Sequence, residues 1–152
     1  MDLNYFNSRK EKSKEIYNKQ RTIFNHYLQT QVVLNSDGFH HLQFSDRHER
    51  SKEEQLLKFS LLPLALDIIK KSTTLQEFRK EPIRISRPSK DGFSLTKIAE
   101  YFGFIAIVGD KKIKIRVIVR RVGDGNFTFW SVMPDSKLKG SQRLYDYGIE
   151  ND

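Results

Sequence analysis

The side chains of this sequence that could do chemistry are histidines, arginines, lysines, serines and threonines, and what is missing narrows their use. There is no GxxxxGKS/T, GxGxxG or HExxH string, no cysteine, and no set of carboxylates spaced for a divalent metal. These absences argue against metal-dependent nucleases and nucleotide-driven enzymes, and no metal or cofactor is expected. A general base with cations around a phosphate is what remains. RNA cleavage needs little else, because the 2′-OH is an internal nucleophile: the protein removes its proton, neutralises the charge of the phosphorane and protonates the leaving 5′ oxygen. A histidine near its ordinary pKa can move such protons, and arginine can clamp phosphate oxygens in pairs. DNA lacks that nucleophile, so these residues favour RNA. Of the four histidines, His26 and His48 read as surface residues, which leaves the doublet His40-His41.

Such residues need a scaffold, and the stretch Lys112 to Pro134 reads as an antiparallel hairpin. Strict alternation puts Ile113, Ile115, Val117 and Val119 on one face and Lys112, Lys114, Arg116 and Arg120 on the other, so a core face is backed by a basic ladder. Gly123, Asp124, Gly125 and Asn126 supply the reversal, and Phe127 to Met133 returns as a strand rich in β-forming aromatics. A four-residue loop sets Ser131 beside Ile118 on the basic face; a three-residue loop sets Thr128 and Trp130 there instead. Both registers fit the sequence.

Ahead of the hairpin, helical spacing of Ile16, Ile23, Phe24, Tyr27 and Leu28 predicts a helix over Ser8 to Gln29, an arm docking loosely through Leu3, Tyr5 and Phe6. Gln31 to Leu34 is β-like, Asn35-Ser36-Asp37-Gly38 reads as a turn, and FHHLQF (Phe39 to Phe44) as the returning strand. Ser45 or Asp46 is the expected N-cap of a helix through Leu62, broken at Pro63 and resumed through Ile69. Thr74-Leu75-Gln76-Glu77 has capping-box spacing and predicts a helical turn ending at Pro82. Ile83 to Phe93 reads mostly as loop with an edge strand at its start. Ser94 to Tyr101 fits either a short helix or an extended lead into the buried strand Phe102 to Val108. Helices first and a meander last make this an α+β chain: helices on one face of an antiparallel sheet. The expected divisions are an N-terminal helical arm (1–30), a single α+β domain (31–134) and a mobile tail (135–152) with Tyr145 and Tyr147 docking back.

With 152 residues, 38% hydrophobic, the chain can bury a core as one domain. No apolar run approaches the roughly 18 to 20 residues that cross a bilayer, and the polar N-terminal stretch has no apolar segment of a signal peptide. Together with the lack of cysteine, this leads us to expect a cytoplasmic protein without a membrane partner. Net charge is +8, from 27 Lys and Arg against 19 Asp and Glu, which favours polyanionic partners and nucleic acid first among them.

The string His41-Leu42, Arg50, Glu54-Gln55 and Leu61-Leu62-Pro63, followed by the basic strand and then Phe129-Trp130-Ser131-Val132-Met133-Pro134, resembles the pattern of the barnase, EndoU, colicin and RelE-like superfamily of ribonucleases. The branches carried by phages and mobile elements are the most similar. The resemblance covers Val32 to Pro134. It implies helices on one face of the sheet and RNA on the other, cut without metal. By position it makes His41 the candidate acid or base, Arg50 and Arg116 the phosphate cations, and Ser131 a polar site residue; Arg47, Lys112, Lys114 and Arg120 are the cations expected to hold RNA. The doublet leaves open which histidine faces the site, and no acidic residue stands where some members keep a base. Two functions follow. One is a metal-independent endoribonuclease of toxin or effector type, acting on RNA, tRNA included, with a cognate antitoxin or immunity protein expected. The other is a non-catalytic RNA- or DNA-binding module of a mobile element that uses the same basic face.

Overall fold

The alternating stretch becomes the middle of a sheet. In the computed structural model, which describes residues 2–45, 48–86, 89–90, 92, 95–110, 112–135, 137–138 and 142–143, the elements run α1 (Leu3–Gln20), β1 (Thr22–Asn25), β2 (Thr30–Val33), α2 (Ser36–Gln43), α3 (Lys52–Lys71), β3 (Glu77–Arg84), β4 (Thr96–Val108), β5 (Ile113–Val122) and β6 (Phe127–Pro134). A separate small pair, β7 (Lys137–Leu138) with β8 (Gln142–Arg143), follows, and Tyr145 and Tyr147 lie outside the described residues. The main sheet has the order β1-β2-β6-β5-β4-β3. The α+β class stands, but the sheet is mixed and not purely antiparallel: β2 runs parallel to β6 through Val32↔Phe127 and Val33↔Thr128. As expected, β5 lies in the interior between β4 and β6.

A β-bulge reconciles the two hairpin registers. Thr128 is opposite Arg120 and Phe129 opposite Val119, yet Ser131 is opposite Ile118, so Trp130 is the extra residue. Near the turn the three-residue-loop register holds, and past the bulge the four-residue one does.

Several local expectations are corrected. The first helix starts earlier and stops at Gln20; Arg21, with φ of 56°, reverses the chain into the β1–β2 hairpin. Ile23 and Val32 are buried strand residues there, and Asn25 bridges the turn to α3 by accepting from Leu28 N and donating to Ile69 O. Nor is α1 a loose arm, because Phe6, Ser13 and Tyr17 are all buried. FHHLQF is helical: the Asn35 side chain accepts from Gly38 N as an N-cap, a use of Asn-Ser-Asp-Gly as natural to these residues as a turn. Gly38 is required there, since a Cβ would overlap Phe129 O on β6.

Ser51, not Ser45 or Asp46, caps α3, and the helix runs unbroken past Pro63. A proline inside a helix leaves the carbonyl four residues earlier without its donor, here Phe59 O. Ser13 Oγ of α1 donates to that oxygen at 3.3 Å, replacing the lost bond and tying the two helices together. The expected core is largely as placed: Leu62, Leu66, Ile69, Val117 and Val119 are buried, while Leu57 is only half-buried. Thr74 to Glu77 does not form a helical turn; Glu77 opens the edge strand β3, where Pro82 is tolerated. For Ser94 to Tyr101 the extended alternative is the observed one over its described part, since β4 begins at Thr96.

Candidate functional site

His41 occupies the last turn of α2, on the side that carries the buried Gly38 and Leu42, and His40 is exposed and stacked on Phe44. On a helix, adjacent residues diverge by about 100° and not by the half-turn of a strand. His41 still points inward and His40 outward.

Arg50 sits between the end of α2 and the cap of α3. Its N–H donates to Gln43 O, and its carbonyl accepts from Gln55 Nε2 at 2.7 Å. The guanidinium then serves three groups: Nε donates to His41 O at 3.0 Å, Nη2 lies 3.1 Å from His41 Nε2, and Nη1 pairs with Glu54 at 2.9 Å. Because arginine only donates, His41 Nε2 must be the acceptor in that contact, which places the ring proton on Nδ1 and leaves the imidazole neutral. The surroundings agree, since burial first, then the charges of Arg50, Lys58, Arg120 and His40, push the His41 pKa down to about 2.

Lys58 extends the cluster. From the buried side of α3 its ammonium donates to Ser131 Oγ and to Val132 O, both at 3.0 Å. This covers the outer edge of β6 beyond its short pairing with β2, where strand groups would otherwise lack partners. The bulge turns Trp130 towards the same region. His41 stacks on the indole at 4.1 Å, and the Arg120 guanidinium lies 4.1 Å from the same ring centroid. Two groups so close to one centroid cannot share a face, so Trp130 is held between them, with Tyr101 against its edge. Arg120 Nε is buried and has no hydrogen-bond acceptor among the described residues.

The structure therefore brings together four of the expected site residues: His41, Arg50, Ser131 and Arg120. Arg116 belongs to a neighbouring ion cluster, where Nη2 meets Asp135 at 2.8 Å and Glu77 at 3.2 Å. Two carboxylates already balance its charge, and it lies four strand residues, about 13 Å, from Arg120. Lys114 approaches the same Asp135 at 3.7 Å, Lys112 is exposed in the turn before β5, and Arg47 lies outside the described residues. No family model, curated protein or solved structure matches this chain.

Sequence reasoning missed Lys58 and the Glu77/Asp135 pair. Lys58 had a signal, because Gln55, Lys58, Leu62 and Leu66 recur at helical spacing and a lysine within an apolar stripe calls for a partner. The carboxylates that meet Arg116 come from the start of β3 and from the residue after β6, and left no such trace.

Chemically, the cluster offers a neutral imidazole, three cations within electrostatic reach of it, and a serine hydroxyl. His41 is 3% exposed, Arg50 4%, Lys58 1% and Ser131 0%. The site is closed in this conformation, and a substrate enters only if side chains move. Among the described residues no three His, Cys, Asp or Glu side chains cluster as metal ligands would, and no helix is long and apolar enough to cross a membrane.

Proposed function

We infer that this chain is an RNA-cleaving protein whose site is the cluster of His41, Arg50, Lys58, Arg120 and Ser131. The observation that carries the reading is the convergence of a neutral histidine on α2 and three cations, from the α2–α3 loop, α3 and β5, around one bulged strand. In the neighbouring cluster, by contrast, Arg116 and Lys114 are already paired with the carboxylates of Glu77 and Asp135.

In this reading an RNA phosphate draws the Arg50 guanidinium off His41 Nε2, and Arg120, on the other face of Trp130, adds its charge without touching the phosphate. The freed Nε2 is then an acceptor for the 2′-OH proton, and the phosphate's negative charge raises the basicity of the imidazole that the cations had depressed. O2′ attacks phosphorus, the P–O5′ bond breaks, and the leaving oxygen takes a proton from the Lys58 ammonium. A 2′,3′-cyclic phosphate and a 5′-hydroxyl result. The role of histidine near its ordinary pKa is thereby revised: His41 serves as a base held neutral, and the acid is a different residue.

A second reading, a basic module that binds RNA or DNA without cutting it, is favoured by a specific observation. His41 Nε2 is already occupied by Arg50 and the ring is stacked on Trp130, as a structural histidine would be. Incubation of the purified protein with total RNA, with and without a chelator, separates the two. The cleavage reading expects fragments ending in 2′,3′-cyclic phosphate, unaffected by chelation and blocked by a 2′-deoxy substitution at the cut. Intact RNA that is nonetheless bound establishes the module.

A further inference from the structure

Away from this cluster, the helix-side face of the sheet extends past the helices and ends in a surface that the site does not use. On β3, Phe78, Lys80, Pro82 and Arg84 alternate onto one face, and all four are exposed. Their register partners Phe102, Glu100, Ile98 and Thr96 on β4 share that face, as does Arg121, opposite Glu100 on β5. Phe102 belongs to the core, whereas Tyr101, its neighbour, packs on the other side with Trp130. The surface is thus on the opposite face of the sheet from Trp130 and Arg120, the strand residues that flank His41.

Its composition is specific. Three rings run outward from the core: Phe127 meets Phe102 at 5.4 Å, Phe102 meets Phe78 at 5.1 Å, and Phe78 itself is 47% exposed; further along the same face, opposite Pro82, Ile98 is 49% exposed. A phenyl ring braced by a core ring loses little freedom when something stacks on it. The Lys80 ammonium is 5.8 Å from the Phe78 ring, Arg121 lies 5.0 Å over Phe127, and Arg84 ends the row, against the single carboxylate of Glu100. Alternate strand positions place Lys80 and Arg84 about 13 Å apart with Phe78 in line beyond Lys80.

We propose that this face of β3 and β4 is a binding platform for single-stranded nucleic acid, with a base stacked on Phe78 and the phosphates beside it held by Lys80 and Arg84. Exposed aromatics interleaved with cations are the combination by which unpaired strands are held without sequence readout, because every base has a π face and every linkage a charge. The cationic excess argues against an acid-poor or apolar protein partner. Pro82, lacking an N–H on the outermost strand, disfavours strand addition by a second copy. The platform does not depend on cleavage at His41: it is a second site, and it functions whether or not the chain cuts RNA.

The test measures fluorescence anisotropy of a labelled single-stranded oligodeoxynucleotide, which has no 2′-OH and stays intact if the cleavage reading is right. Phe78→Ala should weaken binding about five- to a hundredfold, the loss of one stacked base, while Phe78→Trp retains affinity. Lys80→Ala combined with Arg84→Ala should lower the slope of log affinity against log salt by about 1.4, two phosphates on a single strand. Both positions are exposed, so thermal unfolding should remain at the parental temperature and certify the fold. Affinity unchanged in Phe78→Ala overturns the proposal. So does a Phe78→Ala variant that alters sedimentation without altering binding, since the patch would then be covered by another copy of the chain.

Discussion

A buried imidazole that accepts a hydrogen bond from a guanidinium cannot also carry a proton on that nitrogen, and this constraint makes His41 a pH-dependent element of stability. In the unfolded chain the ring titrates near 6.5; in the folded protein burial and the surrounding cations hold it near 2. Between those values the unfolded state binds a proton that the folded state does not, so stability is fully present above about pH 6.5 and is lost as the pH falls towards 2. One such group contributes a slope of up to about 1.4 kcal/mol per pH unit. Urea unfolding at pH 7 and pH 5 should therefore show a smaller loss for His41→Gln than for the parent chain. Equal losses would mean that the histidine is not held neutral. At this scale the chemistry was partly legible in the sequence. The residue types could be read, but which histidine of the doublet points inward and which partner sets its protonation could not, because Arg50 reaches His41 only after two helices meet at an angle that no local pattern records.

At the level of elements, Pro63 shows how a local rule is overridden by a distant partner. A proline at that position predicts a break, and the helix continues because Ser13, 46 residues before Phe59, supplies the missing donor to Phe59 O. Ser13→Ala in the parent should cost about 1–3 kcal/mol, the cost of a buried carbonyl left unsatisfied. In a Pro63→Ala background the restored N–H bonds Phe59 O instead, and the same Ser13→Ala change should be nearly neutral. The double-mutant cycle reads this as a coupling of about 1 kcal/mol or more, and strict additivity would refute the account. The Lys112 to Pro134 hairpin was legible because alternation, turn glycines and β-formers agree. Tyr27 and Leu28 misled because they continue a helical stripe past Gln20, where Arg21 breaks away at positive φ and the β-branched Thr22 and Ile23 open a strand. FHHLQF misled because Asn35 to Gly38 is equally suited to cap a helix or turn a hairpin. The choice is made by the close seat of Gly38 on Phe129 O, a tertiary contact.

Across the whole molecule, two sets of cations stand apart. One set, with His41 and Ser131, is sequestered where α2, α3 and the bulged strand β6 meet, and the other lies open beside Phe78. A protein with net charge +8 attracts any polyanion, so affinity for RNA alone says little about function. Proton transfer is the property that charge cannot imitate. The most direct measurement is therefore cleavage and affinity side by side for His41→Ala and the parent, on one RNA and its 2′-deoxy analogue. Removing a neutral imidazole takes away the base but no phosphate contact, so the account predicts that cleavage is lost while affinity stays within a few-fold. A His41→Ala protein that remains folded and still cuts RNA at the parental rate would contradict it.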